Sequence, residues 1–201
     1  GDANMLVKDC VIGSGGFSGM HISSYDGVIF KNNDFESVFD DASSNAIAWG
    51  ASAKFMWCKN IKFIQNNFRG DHATLMWIQD TQNMLVMNNV FWNTNKFTAS
   101  SGQRNPSAMR LVTQFGNEVA NVAFYYNTYF FADNGKTSAS TYDFMSFAED
   151  HNIDVETTYF KYNNCYSYDE DCPGKSNTPF YDKSVSSDNF CPNNFWSEYD
   201  D

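Results

Sequence analysis

The chain has 201 residues, a formal net charge of -11 and a pI near 4.5. That acidity argues against nucleic acid as a partner, because phosphate contacts need clustered Lys and Arg, and against an anionic membrane surface. No apolar run is long enough to cross a bilayer as a helix, so membrane insertion is not expected. Charged residues make up only 18% and aromatics 17%, with 19 Phe, which suits one domain with a ring-rich interior and a surface carried by Asn, Ser and Thr.

Six segments share one pattern. In chain order they are 4–12, 27–35, 60–68, 83–91, 121–129 and 157–165, the first and last being weaker copies. They align Cys10, Asn33, Asn66, Asn89, Asn127 and Asn163, at intervals of 23, 33, 23, 38 and 36 residues. Within a copy the second and fourth residues are apolar, as in Ile61 and Phe63, Met84 and Val86, and Val122 and Phe124. This is the alternation of a strand with one buried face. The next apolar position (Phe68, Phe91 or Tyr129) breaks that parity, so the chain turns a corner just before the aligned Asn. Asn suits a tight corner because it tolerates left-handed backbone and can bond local backbone groups.

Stacked on one another, the copies bring the aligned amides into a ladder and place Phe35, Phe68, Phe91 and Tyr129 in a column beside it. A second strand follows each corner, at 20–22, 46–49, 74–78, 108–112 and 143–147. Two or three short parallel strands per turn predict an all-β fold: a right-handed parallel β-helix, or solenoid, of six turns over residues 1–166. Three polar excursions, 36–45, 93–107 and 132–141, leave from one point after the aromatic column and are expected to project from one corner. Residues 167–201 break the pattern with three Pro and two Cys. They read as an irregular cap or tail over the last rung. Cys172 with Cys191 is the disulfide candidate, with Cys165 and Cys172 as the other pairing, and either points to an oxidising compartment. Cys10 and Cys58 read as small buried or half-buried residues. No Asn-x-Ser/Thr acceptor with x other than Pro occurs among two dozen Asn, which favours a prokaryotic or viral product or a surface kept free of glycan. The first copy begins close to Gly1, so the chain reads as a mature product, an excerpt of a longer chain, or one capped by another subunit.

With this repeat the chain resembles the right-handed parallel β-helix superfamily, which includes pectate-lyase-like enzymes, phage tailspikes and surface adhesins. The alternation of small-apolar strands with Asn-Asn-x-Phe segments is also distantly similar to the repeats of polymorphic outer-membrane proteins. The resemblance covers roughly residues 4–166 and bears on fold. It implies an extracellular, cell-surface or virion-surface setting. For the polysaccharide lyases of this fold it implies a Lys, Arg or His base on an outward strand face, often with Ca²⁺. The residues here that answer to that description are Lys31, Arg69 and His72, with Asp40, Asp41 and Asp71 as weak calcium candidates; no other cofactor is implied.

Outward positions define a different candidate. One column reads Leu6, Ile29, Lys62, Leu85, Ala123 and Tyr159; its neighbour reads Lys8, Lys31, Ile64, Met87, Tyr125 and Lys161. Rungs about 4.8 Å apart make these a mostly apolar strip about 25 Å long, and a strip of that size marks a contact surface. Leu85, Met87, Tyr125, Tyr126, Tyr159 and Tyr162 are its binding residues. The expectation is a non-catalytic surface module acting in structure, adhesion or assembly. Its partner would be a protein or a second copy, or a glycan on the tyrosines. The alternative is a polysaccharide lyase acting on acidic polysaccharide. A lyase would bring Lys31, Arg69 and His72 into one groove, whereas a module would bury Leu85, Met87 and Tyr125 against a neighbour.

Overall fold

The computed structural model describes residues 5–15, 18–38, 51–70, 74–93, 107–113, 117–131, 143–148, 157–167, 180–181 and 195–198. Among them the regular structure is all strand. The first circuit is β1 (Met5–Lys8), β2 (Val11–Gly15) and β3 (Ser18–Ser23). The second is β4 (Asp26–Lys31), β5 (Asp34–Val38) and β6 (Ala51–Met56); the third is β7 (Lys59–Ile64), β8 (Asn67–Gly70) and β9 (Thr74–Gln79). The fourth is β10 (Gln82–Met87), β11 (Val90–Asn93) and β12 (Ser107–Val112); the fifth is β13 (Ala120–Tyr125), β14 (Thr128–Phe131) and β15 (Asp143–Ala148). Then come β16 (Tyr159–Lys161), β17 (Asn164–Ser167), β18 (Phe180–Tyr181) and β19 (Phe195–Glu198).

Each strand pairs, parallel, with its counterpart one circuit away. Sheet A runs β1-β4-β7-β10-β13-β16, sheet C runs β3-β6-β9-β12-β15-β18, and sheet B runs β2-β5-β8-β11-β14-β17-β19. This is a parallel β-helix with three strands per circuit. One expectation needs correction. The sheet C strand of the second circuit is Ala51–Met56, in register with Met20–Ser23 and with Met76–Gln79; the segment 46–49, expected in that role, lies outside the described residues. Both stretches are small and apolar, and what separates them is distance to the next corner: in the first three circuits a pair of residues, Ser24 and Tyr25, Trp57 and Cys58 or Asp80 and Thr81, divides the sheet C strand from the sheet A strand that follows. Within 167–201 the described residues beyond Ser167 are the short strands β18 and β19, which pair with β15 in sheet C and β17 in sheet B.

Corners are cut by single left-handed residues. Between sheets A and B these are Asp9, Asn32, Gln65, Asn88, Tyr126 and Tyr162, with φ from 55° to 60°. The left-handed residue is therefore the one before the ladder position, not the ladder Asn itself. A second left-handed column sits inside the sheet A strands at Gly27 (φ 84°), Asn60 (55°), Asn83 (57°) and Asn121 (54°). This explains the first residue of the four central repeats: Gly and Asn are the residues that adopt this conformation at least cost. Between sheets C and A the corner residues are Ser24 (57°), Trp57 (55°) and Asp80 (48°). Bulky residues are outliers here. Trp57→Asn is accordingly expected to stabilise the fold by about 1 kcal/mol; thermal denaturation checks it, and an unchanged or lower midpoint would contradict it.

Behind the corners the polar groups stack. Asn66 shows the unit: its Nδ2 donates to Oδ1 of Asn89 (3.0 Å) and to Phe30 O (3.0 Å), and its Oδ1 accepts from N (3.0 Å) and Nδ2 (2.9 Å) of Asn33. Asn89, Asn127 and Asn163 continue the same arrangement. The five amides are at most 2% exposed, and each bond spares the penalty of a buried unsatisfied polar group. Cys10 heads the column: its N donates to Asn33 Oδ1 (3.0 Å) and its Sγ to Lys8 O (3.2 Å). It is exposed, not buried or half-buried as expected, whereas Cys58 is buried. Cys58 holds the other corner, its Sγ donating to Met56 O (3.3 Å) as the Thr81 hydroxyl donates to Gln79 O (2.9 Å).

The interior alternates with this scaffold. Phe35, Phe68, Phe91 and Tyr129 stack with centroids 4.4, 4.7 and 4.8 Å apart and planes within 10°. Phe30 stacks on Phe63 at 4.7 Å. All six rings are at most 1% exposed.

Candidate functional site

The outward columns of sheet A have the composition the repeat predicts. Lys8 pairs with Lys31, Lys31 with Ile64, Ile64 with Met87, Met87 with Tyr125 and Tyr125 with Lys161; Leu85 and Tyr159 flank Ala123 in the neighbouring column. Leu85, Met87, Tyr125 and Tyr159 are half-buried, while Tyr126 and Tyr162 are exposed. The columns change character along the axis. Lys8, Lys31 and Lys62 are exposed cations toward the first circuits; aliphatic and aromatic residues follow, with Lys161 Nζ 4.5 Å over the Tyr159 ring.

The tyrosines form one cluster. Tyr126 and Tyr162, consecutive left-handed corner residues, stack at 5.4 Å with planes 13° apart. Tyr125 lies 6.4 Å from Tyr126, tilted by 51°. Each stacked ring covers one face of its neighbour, and both residues stay exposed. Burial, together with the neighbouring phenols of Tyr159, Tyr162 and Tyr126, pushes the Tyr125 hydroxyl above its ordinary pKa. The folded state therefore holds the Tyr125 proton more tightly than the unfolded chain does. This contribution to stability is present below the unfolded pKa near 10 and is lost as pH rises through the folded value. Tyr125→Phe is expected to flatten the loss of stability above that pH; identical alkaline denaturation profiles for the two proteins would contradict this.

Around the A–B corner the aromatic surface continues. Trp92 is exposed and packs against Phe130 at 5.3 Å. One coil earlier the same sheet B column holds Arg69, ion-paired with Glu36 across adjacent strands. Lys31 and Arg69 thus lie on different sheets, A and B, and the described residues do not bring them together. His72, Asp40, Asp41 and Asp71 lie outside the described residues, as do Cys172 and Cys191. Among the described residues no group of three His, Cys, Asp or Glu side chains could hold a metal ion. An open recess of about 270 Å³ at the A–B corner is lined by Asp9, Cys10, Asn32, Asp34, Gln65 and Asn67. Its carboxylates are tied to amides, Asn32 donating to Asp9 (2.6 Å) and Asn67 to Asp34 (3.1 Å).

Sheet C carries a column that sequence reasoning missed. His21, Lys54, Trp77 and Arg110 are in register on its outer side. Lys54 (8% exposed), Trp77 (1%) and Arg110 (5%) are all withdrawn from water. Lys54 Nζ lies 4.4 Å from the Trp77 ring centre and Arg110 Cζ 4.9 Å, so both cations draw on the indole π face. Burial and then the Arg110 charge pull the Lys54 pKa down; burial and then Lys54 do the same to His21. The signal was present in the strand alternation, but reading 46–49 as the second-circuit strand took Lys54 out of the column.

No protein-family model matches the chain, and no curated protein or solved structure is detectably similar to it. The class is therefore the one its own geometry defines, a three-sheet parallel β-helix.

Proposed function

We propose that the chain is a non-catalytic β-helix module of an extracellular, cell-surface or virion-surface protein, acting in assembly or adhesion through the outer side of sheet A. One observation carries this reading: Leu85, Met87, Tyr125, Tyr126, Tyr159 and Tyr162 form a continuous aliphatic and aromatic face that stays partly open to solvent. Apolar faces of this kind mark contact surfaces, and tyrosines supply contact area at low entropic cost. The stacking of Tyr126 on Tyr162 favours a protein surface over a sugar, because pyranose rings pack on exposed ring faces. Light scattering after size exclusion tests self-association, and surface binding to a host-cell or particle extract tests a heterologous partner. Met87→Glu with Tyr125→Ala is expected to abolish whichever contact occurs while circular dichroism stays unchanged. Binding that survives both substitutions would rule out this face.

A second reading, a lyase acting on acidic polysaccharide, is favoured by Lys54 and Arg110 on either side of Trp77. Burial and then the Arg110 charge pull the Lys54 pKa down, which suits a proton acceptor. Lys31 and Arg69 do not share that arrangement. Ultraviolet detection of unsaturated product from uronate polymers tests it: turnover lost in Lys54→Ala and kept in Lys31→Ala would establish the lyase and displace the contact module.

A further inference from the structure

We propose that Tyr126 and Tyr162 are a site of oxidative cross-linking, forming an intramolecular dityrosine that staples the fifth coil to the sixth. The inference is independent of which partner the sheet A face meets. Both residues occupy left-handed backbone, at φ 56° and 60°. Asn32 and Asn88 fill the same corner position in other coils, and a bulky ring costs more there than an amide. Two consecutive coils thus carry an unfavourable residue at one corner, a form of strain that persists where the side chain has a use. The shared backbone conformation aims both rings the same way, giving the 5.4 Å stack with planes 13° apart. Both are exposed, 56% and 47%, so an oxidant can reach them and the rings can slide from face contact to the edge contact that coupling needs. Tyr125, tilted by 51° against Tyr126, is not aligned for this, and Tyr129 is fully buried.

The chemistry balances with a haem peroxidase and hydrogen peroxide as oxidant. Each phenol loses one electron and its hydroxyl proton to give a phenoxyl radical. The radicals join through one carbon–carbon bond between ring positions ortho to oxygen. The two ortho hydrogens then move to the oxygens, restoring both phenols. The net loss is two hydrogen atoms, and peroxide takes up those two electrons and two protons to become two waters. Rings already held together react as an intramolecular pair, which outcompetes encounters between dilute molecules. The product closes the chain from Tyr126 to Tyr162, restricting the unfolded ensemble as other cross-links do.

The test is treatment of the dilute full chain with a haem peroxidase and hydrogen peroxide. Dityrosine fluorescence is expected in material that still elutes as unlinked chains, with a mass lower by two hydrogen atoms and a linked peptide pair containing Tyr126 and Tyr162. The linked protein should melt at higher temperature than the untreated one. Tyr126→Phe and Tyr162→Phe keep ring, stack and fold, and either is expected to reduce the intramolecular signal to background; Tyr125→Phe should leave it intact. No dityrosine, dityrosine only between chains, or an intramolecular product that survives Tyr162→Phe would each overturn the proposal.

Discussion

Asn66→Ala is expected to destabilise the fold by about 3–5 kcal/mol, because it orphans two buried donors at about 1–3 kcal/mol each. Those donors are the backbone N–H of Asn33 and one N–H of its Nδ2, which both end on Asn66 Oδ1, while the other N–H of Nδ2 keeps Val7 O. Phe30 O and Asn89 Oδ1 each lose a donor as well. Neither water nor a neighbouring side chain can take over, since Asn33, Asn66 and Asn89 are at most 2% exposed. Asn66→Asp separates the two halves of the side chain's role. A carboxylate still accepts from Asn33, but it cannot donate to Asn89 or Phe30, and it brings a charge into a dry column. It is expected to be at least as destabilising as alanine. Asn67→Ala is the control: its Nδ2 meets Asp34 Oδ1 on the half-exposed outer side, and the loss should be about 0.5–1.5 kcal/mol. Urea denaturation of the three variants checks this, and equal losses for Asn66→Ala and Asn67→Ala would contradict it.

Phe68→Ala is expected to cost about 3–5 kcal/mol, the range for a buried Phe truncated in a core that only partly collapses. Phe68 lies between Phe35 at 4.4 Å and Phe91 at 4.7 Å, stacked on both. Truncation therefore breaks two stacks and opens a gap in the middle of the column. The rungs are held at fixed spacing by strand hydrogen bonds above and below, so the neighbours cannot close in. Phe68→Leu keeps most of the volume and should cost roughly half as much. Thermal or urea melts decide; a loss under about 1 kcal/mol for Phe68→Ala would mean that the site is not close-packed.

The features that were legible in the sequence share a physical cause. Asn66 and Asn89, or Phe68 and Phe91, recur because identical side chains one rung apart satisfy each other, and that periodicity survives loops of varied length. The register of sheet A, down to Lys8 beside Lys31 and Met87 beside Tyr125, followed from the same alignment. What stayed hidden depends on backbone conformation. The left-handed state of Asn60 and Gly27, or of Tyr126 and Trp57, leaves no periodic apolar mark. The burial of Lys54 and Arg110 on the outer side of sheet C could not be read either, since a charged residue at an outward strand position ordinarily faces water. The tyrosine positions were legible, but the mutual stacking of Tyr126 and Tyr162 depends on that left-handed corner.

The most direct test of the ladder is side-chain amide hydrogen exchange, followed residue by residue by nuclear magnetic resonance. If the stacked amides define the interior, the Nδ2 protons of Asn33, Asn66, Asn89, Asn127 and Asn163 will be strongly protected, while those of the exposed Asn60 and Asn83 exchange rapidly. Exchange of Asn66 and Asn89 at the rate of Asn83 would show that the column does not exist in solution, and the assignment of faces built on it would fall.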